Sequence, residues 1–504
     1  MDRPPSPMGA SGDPGADIPE WVKHAVFYQI FPDRFACSER VPKPRNLEPW
    51  DADPTPHGYK GGDLLGVVER LDYLQELGVT ALYFNPIFQS ASNHRYHTHD
   101  YFRVDPLLGG DAAFEAMLAE CHRRGIRVVL DGVLNHASRG FFQFNDILEN
   151  GAASPWVDWF HVHAHPANAY DRSRPPGYEA WFGLRALPKF NTDDAGAREF
   201  LMQVGEHWLR RDIDGWRLDV PNEVTTPGFW EEFRRRCRAI NPEAYLVGEI
   251  WEEATEWLRG DRFDAVMNYR FTEAAIAFAA GHRVIRETVE GRGYAPWPGI
   301  DAPTYAGRID RLLALYPWQS QLAQLNLLDS HDTSRLLSIA GGDRRSLELG
   351  ALLLFTFPGA PCVYYGDEIG LVGALPDHFS RGAFPWDRPE TWDRDLLATF
   401  TSLIALRRER PALRTGTYRR LYAKAGAYVF GREGDRDGVI VAVNASDGAH
   451  VVEVEMPELL DSDGSATVVF SLQPAPVVRQ RGGHLRLELP PRSGAVARVD
   501  SSMA

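Results

Sequence analysis

Ala112–Arg124, AAFEAMLAECHRR, followed by Gly125 and then by IRVVLDGV at Ile126–Val133, is the stretch that decides the fold. A helical pattern stops at a glycine, and glycine just past the last periodic residue is a helix stop signal. A run of β-branched and apolar residues follows at once. It is continuous rather than alternating, as in a strand buried on both faces. Leu64–Leu77 before Gly78 repeats the pattern, with Leu71, Leu74 and Leu77 at helical spacing, and Val79–Asn85 follows it.

Outward from there, eight such runs can be picked out: Ala25–Ile30, Val79–Asn85, Ile126–Val133, Gly215–Val220, Ala244–Ile250, Ala265–Tyr269, Leu325–Ser330 and Pro361–Glu368. Eight strand–helix units over roughly 400 residues predict an α/β fold, a (β/α)8 TIM barrel. The gap between the third and fourth runs predicts a subdomain inserted after strand 3, at about 136–200. Within the long stretch Phe271–Gln324, Glu290–Ala306 reads as an inserted loop. After about Thr415 the texture changes to period two with Gly/Asp turns. Tyr428–Gly431, Gly438–Asn444, His450–Val454, Ala466–Ser471 and Leu485–Leu489 predict a C-terminal antiparallel β-sandwich. The expected division is a disordered tail at 1–20, a catalytic barrel at 21–415 and the sandwich at 416–504.

Composition narrows the function classes. The 504 residues carry 54 Lys and Arg against 69 Asp and Glu, a net charge of −15. That excess of negative charge repels nucleic acid and anionic membrane and suits a neutral substrate. No apolar run is long enough to span a bilayer, and residues 1–20 lack the basic start and apolar stretch of a secretory signal. Four scattered cysteines, Cys37, Cys121, Cys237 and Cys362, read as reduced thiols in a cytoplasmic protein.

Chemistry concentrates where the barrel strands end, the face that carries active sites in such barrels. Strand three ends in Asp131-Gly-Val-Leu-Asn135-His136, strand four in Gly215-Trp-Arg217-Leu-Asp219, strand five in Gly248-Glu249-Ile-Trp251, and strand seven in Asp329-Ser-His331-Asp332. Residues two apart in a strand point the same way, so Arg217 and Asp219 both face the barrel interior. Arg217 is expected to keep Asp219 ionised and lower its pKa. Glu249 on the neighbouring strand supplies a second carboxyl. Retaining glycoside hydrolysis needs two carboxyls roughly 5–5.5 Å apart, and neighbouring strands lie about 4.8 Å apart. Glu249 is expected to have a raised pKa, because two close carboxylates resist ionising together. Asp332 adds a third carboxyl, and His331 and His136 add donors for sugar hydroxyls.

At these residues the chain resembles the α-amylase family, glycoside hydrolase family 13. The runs at 131–136, 215–223, 248–251 and 330–332 are similar, in order, to its four signatures. The resemblance implies Asp219 as nucleophile, Glu249 as general acid/base and Asp332 as the carboxylate that holds sugar hydroxyls. It implies Tyr96, His136, Arg217 and His331 as residues around the sugar at the cut, with Tyr96 stacking on it. Leu187-Pro-Lys-Phe-Asn191 and Val220-Pro-Asn222-Glu223 resemble elements of the neopullulanase, cyclomaltodextrinase and maltogenic amylase group, which places Glu223, with Trp251, near the acceptor.

The implied function is retaining hydrolysis of α-glucosidic bonds in maltooligosaccharides, cyclodextrins or pullulan-type α-glucans. Glycosyl transfer or isomerisation, such as trehalose formation, is the alternative on the same site. A non-catalytic glucan-binding relative is the alternative of another class. The N-terminal β-sandwich usual in the group has no counterpart in the roughly 24 residues before the first strand, and the oligomeric state is left open. No cofactor is required. Ala36–Arg45 stands in place of the group's calcium loop with few oxygen ligands and several cations, so calcium is possible but unsupported there. Asn135 is expected to orient Asp131 or Asp219 by a hydrogen bond. His97 stands where many relatives have Asp.

Overall fold

The structure, a computed structural model, describes Met8 and residues 17–291, 293–434, 437–455, 466–481 and 483–499. Most of the expected tail therefore lies outside the described residues. Within them Met8 bridges Tyr418, and a short helix, Glu20–His24, leads into the first strand.

All eight expected strands form one parallel sheet: β1 Phe27–Ile30, β2 Ala81–Phe84, β3 Arg127–Gly132, β4 Gly215–Leu218, β5 Tyr245–Gly248, β6 Ala265–Val266, β7 Leu325–Asn326 and β8 Ala360–Tyr364. The order is β6-β5-β4-β3-β2-β1-β8-β7, and a parallel bridge between Met267 and Leu325 joins the two ends into a barrel. Side chains alternate across each strand, and both sets are apolar. Phe27, Ala81, Tyr83, Val129, Tyr245, Val247 and Leu325 pack inside the barrel. Tyr28, Leu82, Val128, Leu130, Trp216 and Leu246 pack outward among the helices. Burial on both faces is why these runs lack polar alternation.

The same inward register turns polar at the carboxyl ends of the strands. Phe27 is followed inward by Gln29, Val129 by Asp131, Gly215 by Arg217 and Asp219, and Val247 by Glu249. The barrel thus has an apolar floor and a charged mouth built by one alternation.

Between β3 and β4 the chain makes the helix Phe142–Asn150, three 3-10 turns and scattered bridges. The helix Ala195–Leu209 begins inside the expected insertion; it packs on Phe229–Ile240 and belongs to the barrel's outer layer. The expected loop Glu290–Ala306 is likewise shorter, since the helix Ala302–Leu315 begins within it with Asp301 as its cap.

Among its described residues the C-terminal region has eight strands where five were expected: β9 Thr417–Lys424, β10 Ala427–Glu433, β11 Gly438–Asn444, β12 His450–Glu455, β13 Thr467–Ser471, β14 Val477–Arg481, β15 His484–Leu489 and β16 Ser493–Val499. They form two antiparallel sheets, β9-β10-β11-β16-β13 and β12-β15-β14. Val429, Ile440, Val452, Leu485 and Leu487 pack between them. The unexpected strands are β9 and β14, polar strands at sheet edges, and β16, whose Ser, Gly and Ala residues hide its alternation. Arg407 and Arg432, both fully buried, donate to the Leu413 carbonyl at 2.8 and 3.0 Å and tie the sheet to the barrel helices.

Candidate active site

β4 and β5 are paired with Arg217 opposite Val247 and Leu218 opposite Gly248. The Glu249 amide donates to the Leu218 carbonyl at 2.9 Å, so the next step in that register sets Asp219 beside Glu249. One guanidinium holds the centre. Arg217, fully buried, donates from Nη1 to Asp131 Oδ1 at 2.9 Å and to Asp219 Oδ1 at 3.0 Å. Its Nη2 lies 2.8 Å from Glu249 Oε1, outside hydrogen-bond geometry. Both candidate carboxyls therefore sit within the span of one guanidinium fork.

The electrostatics correct one expectation. Arg217 does pull the Asp219 carboxyl down, but burial pushes it up and the Glu249 carboxylate adds to that, so its pKa is raised. Burial also pushes Glu249 up to about 7, against the pull of Arg217. Desolvation of charge outweighs a single shared cation here, and the two carboxyls resist ionising together. Asp332 is different. Burial alone would raise it, yet His331 Nε2 at 2.9 Å and Arg381 Nη2 at 3.2 Å hold it below the usual carboxylate range.

Backbone strain shapes the same corner. Val220, straight after Asp219, has φ 36 and ψ 52, a left-handed conformation rare for a β-branched residue. Such conformations cost about 1–3 kcal/mol and cluster at functional sites. Here the turn aims the Val220 amide at Glu249 Oε2, 3.2 Å away.

The histidines are neutral donors. Burial lowers the pKa of His331. The Gln29 amide donates to Asn85 at 3.0 Å and faces His331 Nδ1 at 2.9 Å. Nδ1 is thereby the acceptor and Nε2 carries the proton, 2.6 Å from the Tyr96 hydroxyl oxygen and 2.9 Å from Asp332 Oδ2. His136 is pushed by burial to about 3. Its ring stacks on Trp181 at 5.2 Å, and its Nε2 is buried without a partner. Asn135 does not orient Asp131 or Asp219. It meets His136 Nδ1 at 3.2 Å instead, because the chain turns after Leu134 towards the Lys189–Phe190 bridges.

Asp219, Glu249, Asp332, Tyr96, His136, Glu223 and Trp251 all line one cavity of 580 Å³. Arg217 and His331 stand behind that lining. Tyr96 comes from the loop of the hairpin Phe88–Ser90 and Thr98–Val104. Its ring is near-parallel to that of His331 with centroids 5.4 Å apart, and its hydroxyl, 2.6 Å from His331 Nε2, donates to Asp131 at 2.8 Å. Trp251 stacks on Tyr269 at 3.6 Å. Glu223 lies 3.5 Å from Lys189.

His94, Trp181, Asp377 and Arg381 are among the cavity residues not singled out from the sequence. They lie in loops or short 3-10 turns with no periodic pattern in sequence. Asp131 was legible as part of the strand-three motif, though its bond to Arg217 was not.

The loop Ala36–Arg45 does not fit a calcium ion. The buried carboxylate packed against it is Asp63, the cap of the helix Leu64–Glu69, which accepts from the Ser38 and Gly66 amides at 2.8 and 2.7 Å, with Lys43 Nζ 2.9 Å away. An ammonium stands where a hard cation would need several oxygens. Among the described residues no group of three or more His, Cys, Asp or Glu is placed to hold a metal. Dialysis against EDTA is expected to leave the thermal midpoint unchanged; a fall of several degrees, restored by calcium, would show a metal that these residues do not explain. The described cysteines are free, with only Cys37 exposed. No helix among the described residues is long and apolar enough to cross a membrane.

Comparison with known proteins agrees with this geometry. The model of the alpha amylase catalytic domain matches residues 29–390. A cyclomaltodextrinase from a Bacillus species is 43% identical over 438 residues, covering 86% of this chain and 75% of that protein. Neopullulanase 2 of Thermoactinomyces vulgaris is 41% identical over 483 residues, covering 95% of this chain and 78% of that protein. The native form of the Nostoc punctiforme debranching enzyme superposes with a TM-score of 0.88 at 52% identity, over 96% of this chain and 99% of that one. With the matching barrel and the carboxyl cluster at its mouth, the chain belongs to the α-amylase family and is a glycoside hydrolase.

Proposed function

We propose that this protein hydrolyses α-glucosidic bonds in maltooligosaccharides, cyclodextrins or pullulan-type glucans, with retention at the anomeric carbon. The observation that carries this reading is the pair Asp219 and Glu249, held by the single Arg217 guanidinium at the mouth of the barrel. Asp219 attacks the anomeric carbon while Glu249 delivers its proton to the leaving oxygen. A covalent glycosyl-enzyme forms and the leaving sugar departs with its new hydroxyl. Glu249, now ionised, takes a proton from water, and that water displaces Asp219. Asp332, kept ionised by His331 and Arg381, accepts hydrogen bonds from sugar hydroxyls. The unpartnered Nε2 of His136 donates to another.

The acceptor wall is Asn222, Glu223 and Trp251, on Glu249's side of the cavity. The relatives' names span cyclic glucans, pullulan and branched glucans, so the substrate test needs all of them. Maltotriose, β-cyclodextrin, pullulan and starch, incubated in parallel and followed by chromatography, rank the preference. Proton NMR of the first maltotriose products is expected to show the α-anomer ahead of mutarotation. The β-anomer first, or no cleavage of any of the four, rejects the reading.

A further inference from the structure

Asp329 stands just before the active residues of the seventh strand, and the chemistry above leaves it without a role. Its carboxylate is buried, and Oδ2 accepts from the Leu336 amide at 2.6 Å. That bond joins the two ends of the loop 329–336, and His331 and Asp332 lie on the loop between them. Bonds within the loop tighten it. The Ser330 amide donates to Thr333 Oγ1 at 2.9 Å, and the Asp332 amide donates to Ser330 Oγ at 3.2 Å.

A second carboxylate holds the same loop from outside. Asp367, in the 3-10 turn Asp367–Ile369 after β8, accepts from Arg335 Nη1 at 2.6 Å. Arg335 is buried, with its guanidinium 4.2 Å over the Tyr364 ring, and its Nε donates to the Ser380 carbonyl at 3.1 Å. Ser380 precedes Arg381, which donates to the His331 carbonyl at 2.8 Å and lies 3.2 Å from Asp332. Asp329 and Asp367 thus grip adjacent residues, Leu336 and Arg335, and both grips lead to Asp332.

The two grips bring two acids together. Asp329 and Asp367 lie within hydrogen-bond reach of each other, Glu368 adds a third buried carboxyl, and Arg335 is the cation that faces them. Glu368 is satisfied elsewhere. It accepts from the Tyr28 and Tyr73 hydroxyls at 2.8 and 2.7 Å and from the Gly366 amide at 2.9 Å. Asp329 Oδ1 is buried and meets no donor, and a proton on Asp367 supplies one. Burial and the Asp329 carboxylate push the Asp367 carboxyl up, against the pull of Arg335. Two carboxyls that share a buried site do not readily ionise together.

We propose that Asp329 and Asp367 hold one proton between them and act as positioning residues, closing the loop that presents His331 and Asp332 to the sugar. One acid then binds the Leu336 amide and the other binds Arg335, without two like charges forcing the loop apart. For the sugar the proposal rests on the hydrolase reading above; for the shared proton it does not.

The first test needs no activity. The infrared difference between wild type and Asp367→Asn at pH 7 is expected to show the carbonyl band of one protonated carboxyl, lost in the variant. No such band overturns the shared proton. The second test measures maltotriose binding by calorimetry in Asp219→Asn protein, which does not turn it over. Adding Asp367→Ala is expected to raise the dissociation constant about tenfold, the worth of one hydrogen bond to a charged group. Adding Asp367→Asn, whose amide supplies an N–H where the proton was, should change it by less than about twofold. With Asp332→Asn also present, Asp367→Ala should cost nothing further, because effects that pass through one residue do not add. An asparagine variant as weak as the alanine one, an alanine variant that binds like its parent, or a full tenfold loss without Asp332 overturns the positioning role. Should Asp367→Ala fail to fold, the infrared band and the Asp367→Asn constant still decide. Failure of the Asp219→Asn parent to bind maltotriose would strike at the hydrolase reading and leave the infrared test standing.

Discussion

Asp219→Asn is expected to lower kcat on maltotriose by on the order of 10⁴-fold or more, as loss of a nucleophile does. The substitution keeps the shape of a residue that is 7% exposed at the end of β4. An amide cannot form the glycosyl ester, so the covalent route closes. The surroundings survive, because Arg217 keeps both Asp131 contacts, at 2.9 and 3.0 Å. Sugar binding through Asp332, His136 and Tyr96 should persist, so the dissociation constant for maltotriose changes by no more than about threefold. A fluorinated glycosyl fluoride that traps the intermediate should add mass to a peptide containing Asp219 in the wild type and to none in the variant. Label on another carboxylate, or a variant with a tenth of the parent activity, would remove Asp219 from its assigned role.

Glu249→Gln should remove about 10³-fold from maltotriose cleavage, within the usual worth of general acid–base catalysis. It should also change the pH profile. Burial sets the Glu249 carboxyl at about 7. The acid must be protonated to act, so kcat/KM of the wild type is expected to fall as pH rises through about 7. A glutamine has no proton to lose, and the variant should lack that limb. Glucosyl fluoride, whose leaving group needs little protonation, should lose far less activity than maltotriose. Its glycosyl-enzyme then waits for a base that is missing, and azide, which needs none, should speed turnover. A variant that keeps the limb, or is equally crippled on both substrates, would take the acid/base role from Glu249.

The eight barrel strands were legible because both faces of each are apolar over neighbouring residues. Their ends were less so. The run Leu325–Ser330 pairs only over Leu325–Asn326, since beyond it the chain leaves the sheet to carry His331 and Asp332 to the mouth. In the C-terminal sheets, β9 and β14 escaped notice because Arg419–Arg420 and Arg479–Gln480 set polar residues on both faces in succession and break the period of two. The carboxyls were legible at strand ends. Arg381 was not, since its contact with Asp332 bridges 49 positions and lies in a segment with no period.

By itself the sequence determined the β/α repeat, the family, and the placing of Asp131, Arg217, Asp219 and Glu249 on one inward face. Alternation and periodicity pass between residues a few positions apart, so they can be read along the chain. The tertiary structure alone decided how protons are distributed there. The pKa values of Asp219 and Glu249 follow from burial and from neighbours brought in by other strands, and burial outweighs the adjacent Arg217. The tautomer of His331 depends on Gln29, 302 positions away. A cavity of 850 Å³ beside the site is likewise a product of packing, where the hairpin after β2, the segment after β3 and the turn after β8 meet around His97 and Arg381. Desolvation and cavity shape depend on what surrounds a residue in space, and that is settled only when the barrel closes.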